Sequence, residues 1–331
     1  MIVPPQLDPG AYPRRLPHLG FHKGAVYFGA ARVASVSIGE GSFLDRCDGT
    51  RTLAEAAAGC NVTLDFIVSA ARWLIWWPEP LAPRVNAAPR GPIERLVLSP
   101  HPEDAWLGMG GRLIAESREI PTLVQNGFQV FTGAHGARFR TTRELAMACT
   151  DEAATAATLG GVASGGFGVP EHEARRLHRI PDAAAREILQ LRIADVLADV
   201  RPREIFVPAA LGGEPDAALL FEAVLGLLGE GALEPDLHLY DDAPSTLGER
   251  HVDEFLLRFE DAFLEPRRYY CDVSDAIAKK EALLDVFCCR LDAPRRRADW
   301  AAGVVRNAKE SGLTGATAAE RFWEVGFAAL E

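Results

Sequence analysis

The sequence predicts an α/β protein: a Rossmann-like three-layer domain with a mainly parallel sheet, preceded by a small winged-helix-like α+β domain. Three observations predict it. Arg95-Leu96-Val97-Leu98-Ser99 is a short apolar run of the kind a buried parallel strand needs, and Pro100 and Pro102 stop it. Gly108-Met109-Gly110-Gly111 follows, which lets a helix begin close against a sheet. Residues 1–77 read instead as ββααα, and five prolines in residues 78–92 mark a semi-rigid linker between the two parts. The expected division is therefore 1–77, a linker at 78–92, and 93–331.

In the first part, β-like runs at 25–28 and 33–38 precede helices expected at about 40–47, 53–58 and 63–76. Asp48-Gly49 is a turn signal. Thr52-Leu53-Ala54-Glu55 is a capping box, in which the Thr hydroxyl and the Glu carboxylate satisfy amides at a helix start. Phe66, Val68, Ala71, Trp73, Leu74, Trp76 and Trp77 make the last helix strongly apolar, so it must pack on something. In the second part, Glu204-Ile205-Phe206-Val207-Pro208 reads as another buried strand, leading through Leu211-Gly212-Gly213-Glu214-Pro215-Asp216-Ala217 into an apolar helix.

Length and composition fit two packed units: 331 residues, 48% of them hydrophobic, are enough for two cores. A formal charge of −11 disfavours a nucleic-acid partner, because phosphate binding needs clustered Lys and Arg. No apolar stretch is long enough to cross a membrane and no signal pattern opens the chain, so the expected location is the cytoplasm. Cys47, Cys60, Cys149, Cys271, Cys288 and Cys289 show no C-x-x-C spacing and read as buried thiols of a reduced compartment. Cys288-Cys289 falls where a helix is expected, which would point the two side chains apart.

Side chains at strand ends are where open α/β sheets build their sites, and here the first strand delivers His101, Glu103 and Asp104. Glu214 and Asp216 follow the second and converge with them if the two strands are neighbours. With His101 these carboxylates form an oxygen-rich set that suits Mg²⁺, Ca²⁺ or Mn²⁺. Without a cation, crowding raises the carboxylates' pKa values and leaves a proton for acid catalysis. The competing reading is that Asp216 caps the helix at 217–227 and Glu214 faces water. His135 and His172 lie in loops that reach the same cleft, as pocket candidates or as surface residues; His18, His22, His178, His238 and His251 carry no placement signal.

His101-Pro102-Glu103-Asp104 with its glycine-rich helix start resembles the first motif of the PIG-L/LmbE family of zinc-dependent N-deacetylases, over about residues 93 to 330. The resemblance implies that His101 and Asp104 bind the metal and that Glu103, an Asp in the family, is the general base. At the second motif, a His-x-x-His in the family, Glu214 stands at the general-acid position and Ala217 at the third zinc ligand, with Asp216 as the available substitute. Val130–Gly133, the helix around Cys149 to Gly160, Lys279–Leu284 and Ala319–Phe322 are weaker echoes of the same family. Phe43 to Thr52 resembles the Leu-x-x-x-Asp-Gly-x-x-Thr signature of PqqD-like domains, the recognition elements of ribosomal-peptide modification pathways, over about residues 15 to 82. That resemblance implies a leader peptide adding a strand to an exposed edge within 25–38. The expected function is a remodelled metal-dependent amide hydrolase of a specialised, peptide natural-product type of pathway. The alternative is an altered or inactive homologue that binds a peptide or ligand, or that does metal-free chemistry.

Overall fold

The computed structural model describes residues 8–28, 31–80, 92–130, 139, 141–211, 213–229, 235–242, 264–289 and 293–327. Seven strands form the main sheet: β6 (Arg95–Ser99), β7 (Thr122–Val130), β8 (Ala163–Pro170), β9 (Glu204–Pro208), β10 (Asp236–Tyr240), β11 (Leu264–Asp272) and β12 (Ala319–Phe327). Their order is β11-β12-β10-β9-β6-β7-β8. The five strands from β8 to β10 are parallel, and β12 and β11 close one side antiparallel. The chain thus starts at β6, steps outward to β7 and β8, then returns to the other side of β6 with β9 and β10. The order reverses between β6 and β9, the place where open α/β sheets leave a crevice at the strand ends.

All five residues of β6 are buried, as are Ile205 to Pro208 of β9, so both read as the apolar runs a parallel sheet covered on two faces requires. Helix α4 (Asp104–Glu116) follows β6. A Cβ on Gly108 would sit 2.5 Å from the Tyr240 ring and 2.7 Å from the Asp241 carbonyl oxygen, which is why the sheet can be approached this closely. Helices α5 (Thr142–Gly160), α6 (His172–His178), α7 (Asp182–Val200), α8 (Pro215–Gly229), α9 (Ile277–Leu284) and α10 (Ala293–Ser311) complete the layers. Two polar anchors hold α4: Glu320 of β12 accepts the amides of Gly111 and Arg112, and Lys280 Nζ donates to the Leu107 carbonyl oxygen at 2.7 Å and to Glu320 at 2.5 Å, in a pair that is essentially solvent-free.

Before β6, strands β1 (Tyr12–Arg15) and β5 (Leu74–Trp77) pair antiparallel, and β2 (Leu19–His22), β3 (Ala25–Phe28) and β4 (Ala31–Ser35) form a three-stranded sheet with β2 and β4 at its edges. Helices α1 (Ile38–Arg46), α2 (Leu53–Ala57) and α3 (Leu64–Ala70) follow. The Thr52/Glu55 capping box forms as expected, and a second one, Ser37 with Glu40, opens α1. The third helix ends at Ala70 rather than continuing to 76. A 3₁₀ turn and β5 take over, as the β-branched and aromatic Ile75, Trp76 and Trp77 favour a strand. This part shares one apolar cluster with the α/β part, running from Phe43, Trp73 and Trp77 to Leu283, Trp300 and Phe322. No described helix is long and apolar enough to cross a membrane.

Candidate active site

His101 sits just past β6, one step into the crevice, and is 3% exposed. Both of its ring nitrogens face carboxylates. Nδ1 lies 3.0 Å from Asp104 Oδ2, and Nε2 lies 3.0 Å from Asp216 Oδ2. Asp104 Oδ2 also accepts the His101 amide at 3.0 Å, so the tight turn into α4 fixes this pair locally. Asp216 comes from the start of α8, after β9, and reaches His101 only because β6 and β9 are sheet neighbours.

Asp216 is 1% exposed and held from three directions. Besides His101 it accepts Arg175 Nη1 at 2.6 Å and the His172 amide at 3.0 Å. Burial alone would push its carboxyl up, but the bonds to His101, Arg175 and the His172 amide hold it below its ordinary value. Arg175 also donates to Asp182 and to the Pro170 carbonyl oxygen, and its guanidinium carbon lies 5.2 Å from the Phe128 ring centroid.

The helix-capping role expected of Asp216 belongs to Glu214. Glu214 Oε2 accepts the amides of Asp216 at 2.8 Å and Ala217 at 2.9 Å, the N-cap pattern for a helix whose first residue is Pro215. Burial, with the charges of Asp216 and Asp104, raises the Glu214 carboxyl against the opposing pull of His101 and the Ala217 amide. Ala217 is 2% exposed and packs in the apolar cluster with Leu98, Leu220 and Val207. Glu103 is buried beside Asp104. Asp242, beyond β10, is pushed up to about 7 by burial and by the neighbouring Asp241 charge.

His172 reaches the site through its backbone, while its buried Nδ1 has no hydrogen-bond partner among the described residues; the same holds for Arg175 Nη2. His135 lies outside the described residues. Sequence reasoning missed Arg175, whose only local signal is its position three residues after His172 on α6.

Two donor groups centre on His101, each with ligand atoms all within 4.8 Å of one another: His101 with Glu103 and Asp104, and His101 with Glu214 and Asp216. The imidazole stands between the two sides. Each side offers one imidazole nitrogen and two carboxylates, a donor set that suits a divalent cation held mainly by oxygen. They do not fit a zinc with three protein ligands of the imidazole-rich kind, because Ala217 offers a methyl group.

No protein-family model matches the chain. It is 25% identical over 255 residues to the 2'-N-acetylparomamine deacetylase of Streptomyces fradiae, an alignment covering 69% of this chain and 88% of that protein. Among solved structures, the A40926 pseudoaglycone deacetylase superposes with a TM-score of 0.53 at 20% identity, covering 73% of this chain and 100% of the other. The 4-carboxy-2-hydroxymuconate hydratase of Pseudomonas putida superposes with a TM-score of 0.51 at 17% identity, covering 72% of this chain and 97% of the other. The structural likenesses are of fold, and that fold serves both a deacetylase and a hydratase.

Proposed function

We propose that this chain is a divergent N-acyl hydrolase of the PIG-L/LmbE type, removing a small acyl group from the amine of an amino sugar or a glycosylated natural product. The observation that carries the reading is the His101 clamp at the topological switch point, an arrangement with the acid, base and cation-binding groups that amide hydrolysis needs. The likeness to a 2'-N-acetylparomamine deacetylase supports the substrate class.

In this reading His101 and Asp104 hold a divalent cation, which supplies carbonyl polarisation and a more acidic water when bound. Asp216 acts on His101 from the opposite side. It accepts a hydrogen bond from Nε2–H, fixes the ring and has its own charge met by Arg175, the usual duty of a carboxylate behind a ligating imidazole. That role replaces the ligation expected of Asp216 from the sequence. Glu103 takes the proton from the attacking water. Glu214, raised by burial, retains a proton for the departing amine near neutral pH more readily than an exposed carboxyl does.

Residues 1–77 are proposed as a PqqD-like unit joined by 78–92 to an α/β unit at 93–331, with edge strand β4 as the acceptor of a peptide strand. Binding of a labelled leader peptide that survives Val33→Pro unchanged would remove that role. The hydrolase reading is tested by acyl release from N-acetylated amino sugars with Mn²⁺, Mg²⁺ or Zn²⁺. Wild type should turn over and Glu103→Gln should lose about 10²-fold or more. Absence of release across cations would favour the altered homologue, a reading that the hydratase of the same fold keeps open.

A further inference from the structure

A second cluster of chemistry-bearing side chains lies where the N-terminal strands meet the α/β unit. His18, between β1 and β2, places Nε2 at 3.0 Å from Glu152 Oε1 on α5. The same carboxylate oxygen lies 3.2 Å from Cys288 Sγ and accepts the amides of Cys288 and Cys289, each at 2.9 Å. The His18 and Glu152 side chains are 4% and 1% exposed. The Phe28 and Phe139 rings lie nearly perpendicular to the His18 ring, at centroid distances of 5.6 and 6.4 Å.

The sequence expectation that Cys288 and Cys289 are splayed apart on a helix does not hold. Helix α9 ends at Leu284 and the two cysteines sit in a turn. One donor atom from each of His18, Glu152, Cys288 and Cys289 falls within 4.8 Å of all the others. We propose that these four residues form a second metal site, of a mixed nitrogen, sulfur and oxygen donor set whose ligand types zinc accepts in tetrahedral coordination, fastening the N-terminal unit to the α/β unit. His18 comes from one unit, and the other three donors come from the second.

Buried Cys149 packs with Cys289, Leu145 and Ala148 in a small apolar cluster. The site shares no residue with the His101 clamp.

The test uses the full chain, reduced and stripped with chelator, then titrated with Co²⁺. Thiolate-to-cobalt charge-transfer absorption reports sulfur ligation alone, so the His101 site does not contribute. The band should saturate by two equivalents in wild type and by a single equivalent in Asp104→Ala, and fall at least tenfold in His18→Gln and in Cys288→Ser. If those variants do not fold, zinc should instead slow thiol alkylation of the wild-type chain at least tenfold. Absence of the band in folded wild-type protein, or a band unchanged in folded Cys288→Ser, would overturn the proposal.

Discussion

Removing the Asp216 carboxylate should cost several times as much stability as removing that of Glu214, two residues earlier on the same helix start. In Asp216→Ala the Arg175 guanidinium, whose side chain is 1% exposed, loses its 2.6 Å partner and keeps, among the described residues, Asp182, itself exposed, a carbonyl oxygen and the Phe128 ring. Breaking a buried pair from one side costs about 3–5 kcal/mol, because the remaining charge stays desolvated. His101 and the His172 amide lose an acceptor at the same time. Glu214→Ala removes an N-cap, which costs about 1 kcal/mol. Urea unfolding followed by tryptophan fluorescence resolves the two, since both variants should share one slope and differ in midpoint. Equal costs, or a cost below about 1 kcal/mol for Asp216→Ala, would mean that Asp216 is a solvated cap and that the clamp on His101 is wrong.

Other consequences concern the frame around the site. Asp242 has a folded pKa of about 7, above its unfolded value, so its contribution to stability is full below about pH 4 and is lost as pH rises towards 7. Asp242→Asn, which can still accept the Leu211 amide, should flatten that slope and stabilise the protein above pH 7 by at most about 4 kcal/mol; an unchanged slope in pH-dependent unfolding would reject this. Lys280→Met strands Glu320 and should cost about 3–5 kcal/mol in the same unfolding assay, with a loss below 1 kcal/mol counting against the buried pair. Gly108→Ala drives a methyl into Tyr240 and the Asp241 carbonyl and should cost about 1–3 kcal/mol; a neutral result would mean that α4 is not seated this tightly.

Much of this frame can be read from local patterns. The apolar runs 95–99 and 204–208 are strands because their side chains are buried on both faces, and the glycines at 108–111 mark a close approach that the Tyr240 contact explains. The capping box at Thr52 is legible because it is complete within four residues. The exchange of roles between Glu214 and Asp216 was also written there: Pro215 favours the first helical position, which puts the cap at Glu214 and turns Asp216 inward. Arg175 could not be found this way, because its partner Asp216 lies 41 residues on and meets it only through the sheet order. His18 and Glu152 are 134 residues apart and carry no local signal. The third helix of the N-terminal part was read too long because its apolar stripe continues into a strand, and an apolar run alone does not tell the two apart.

The central claim is that His101 and Asp104 hold a hard divalent cation in the crevice between β6 and β9. Electron paramagnetic resonance of Mn²⁺ titrated into chelator-stripped protein tests it most directly, since a hard cation favours carboxylates over thiols. The account predicts a bound Mn²⁺ signal in wild type that Asp104→Ala abolishes and Cys288→Ser leaves intact. Equal Mn²⁺ binding by wild type and Asp104→Ala, or free Mn²⁺ in both, would contradict it.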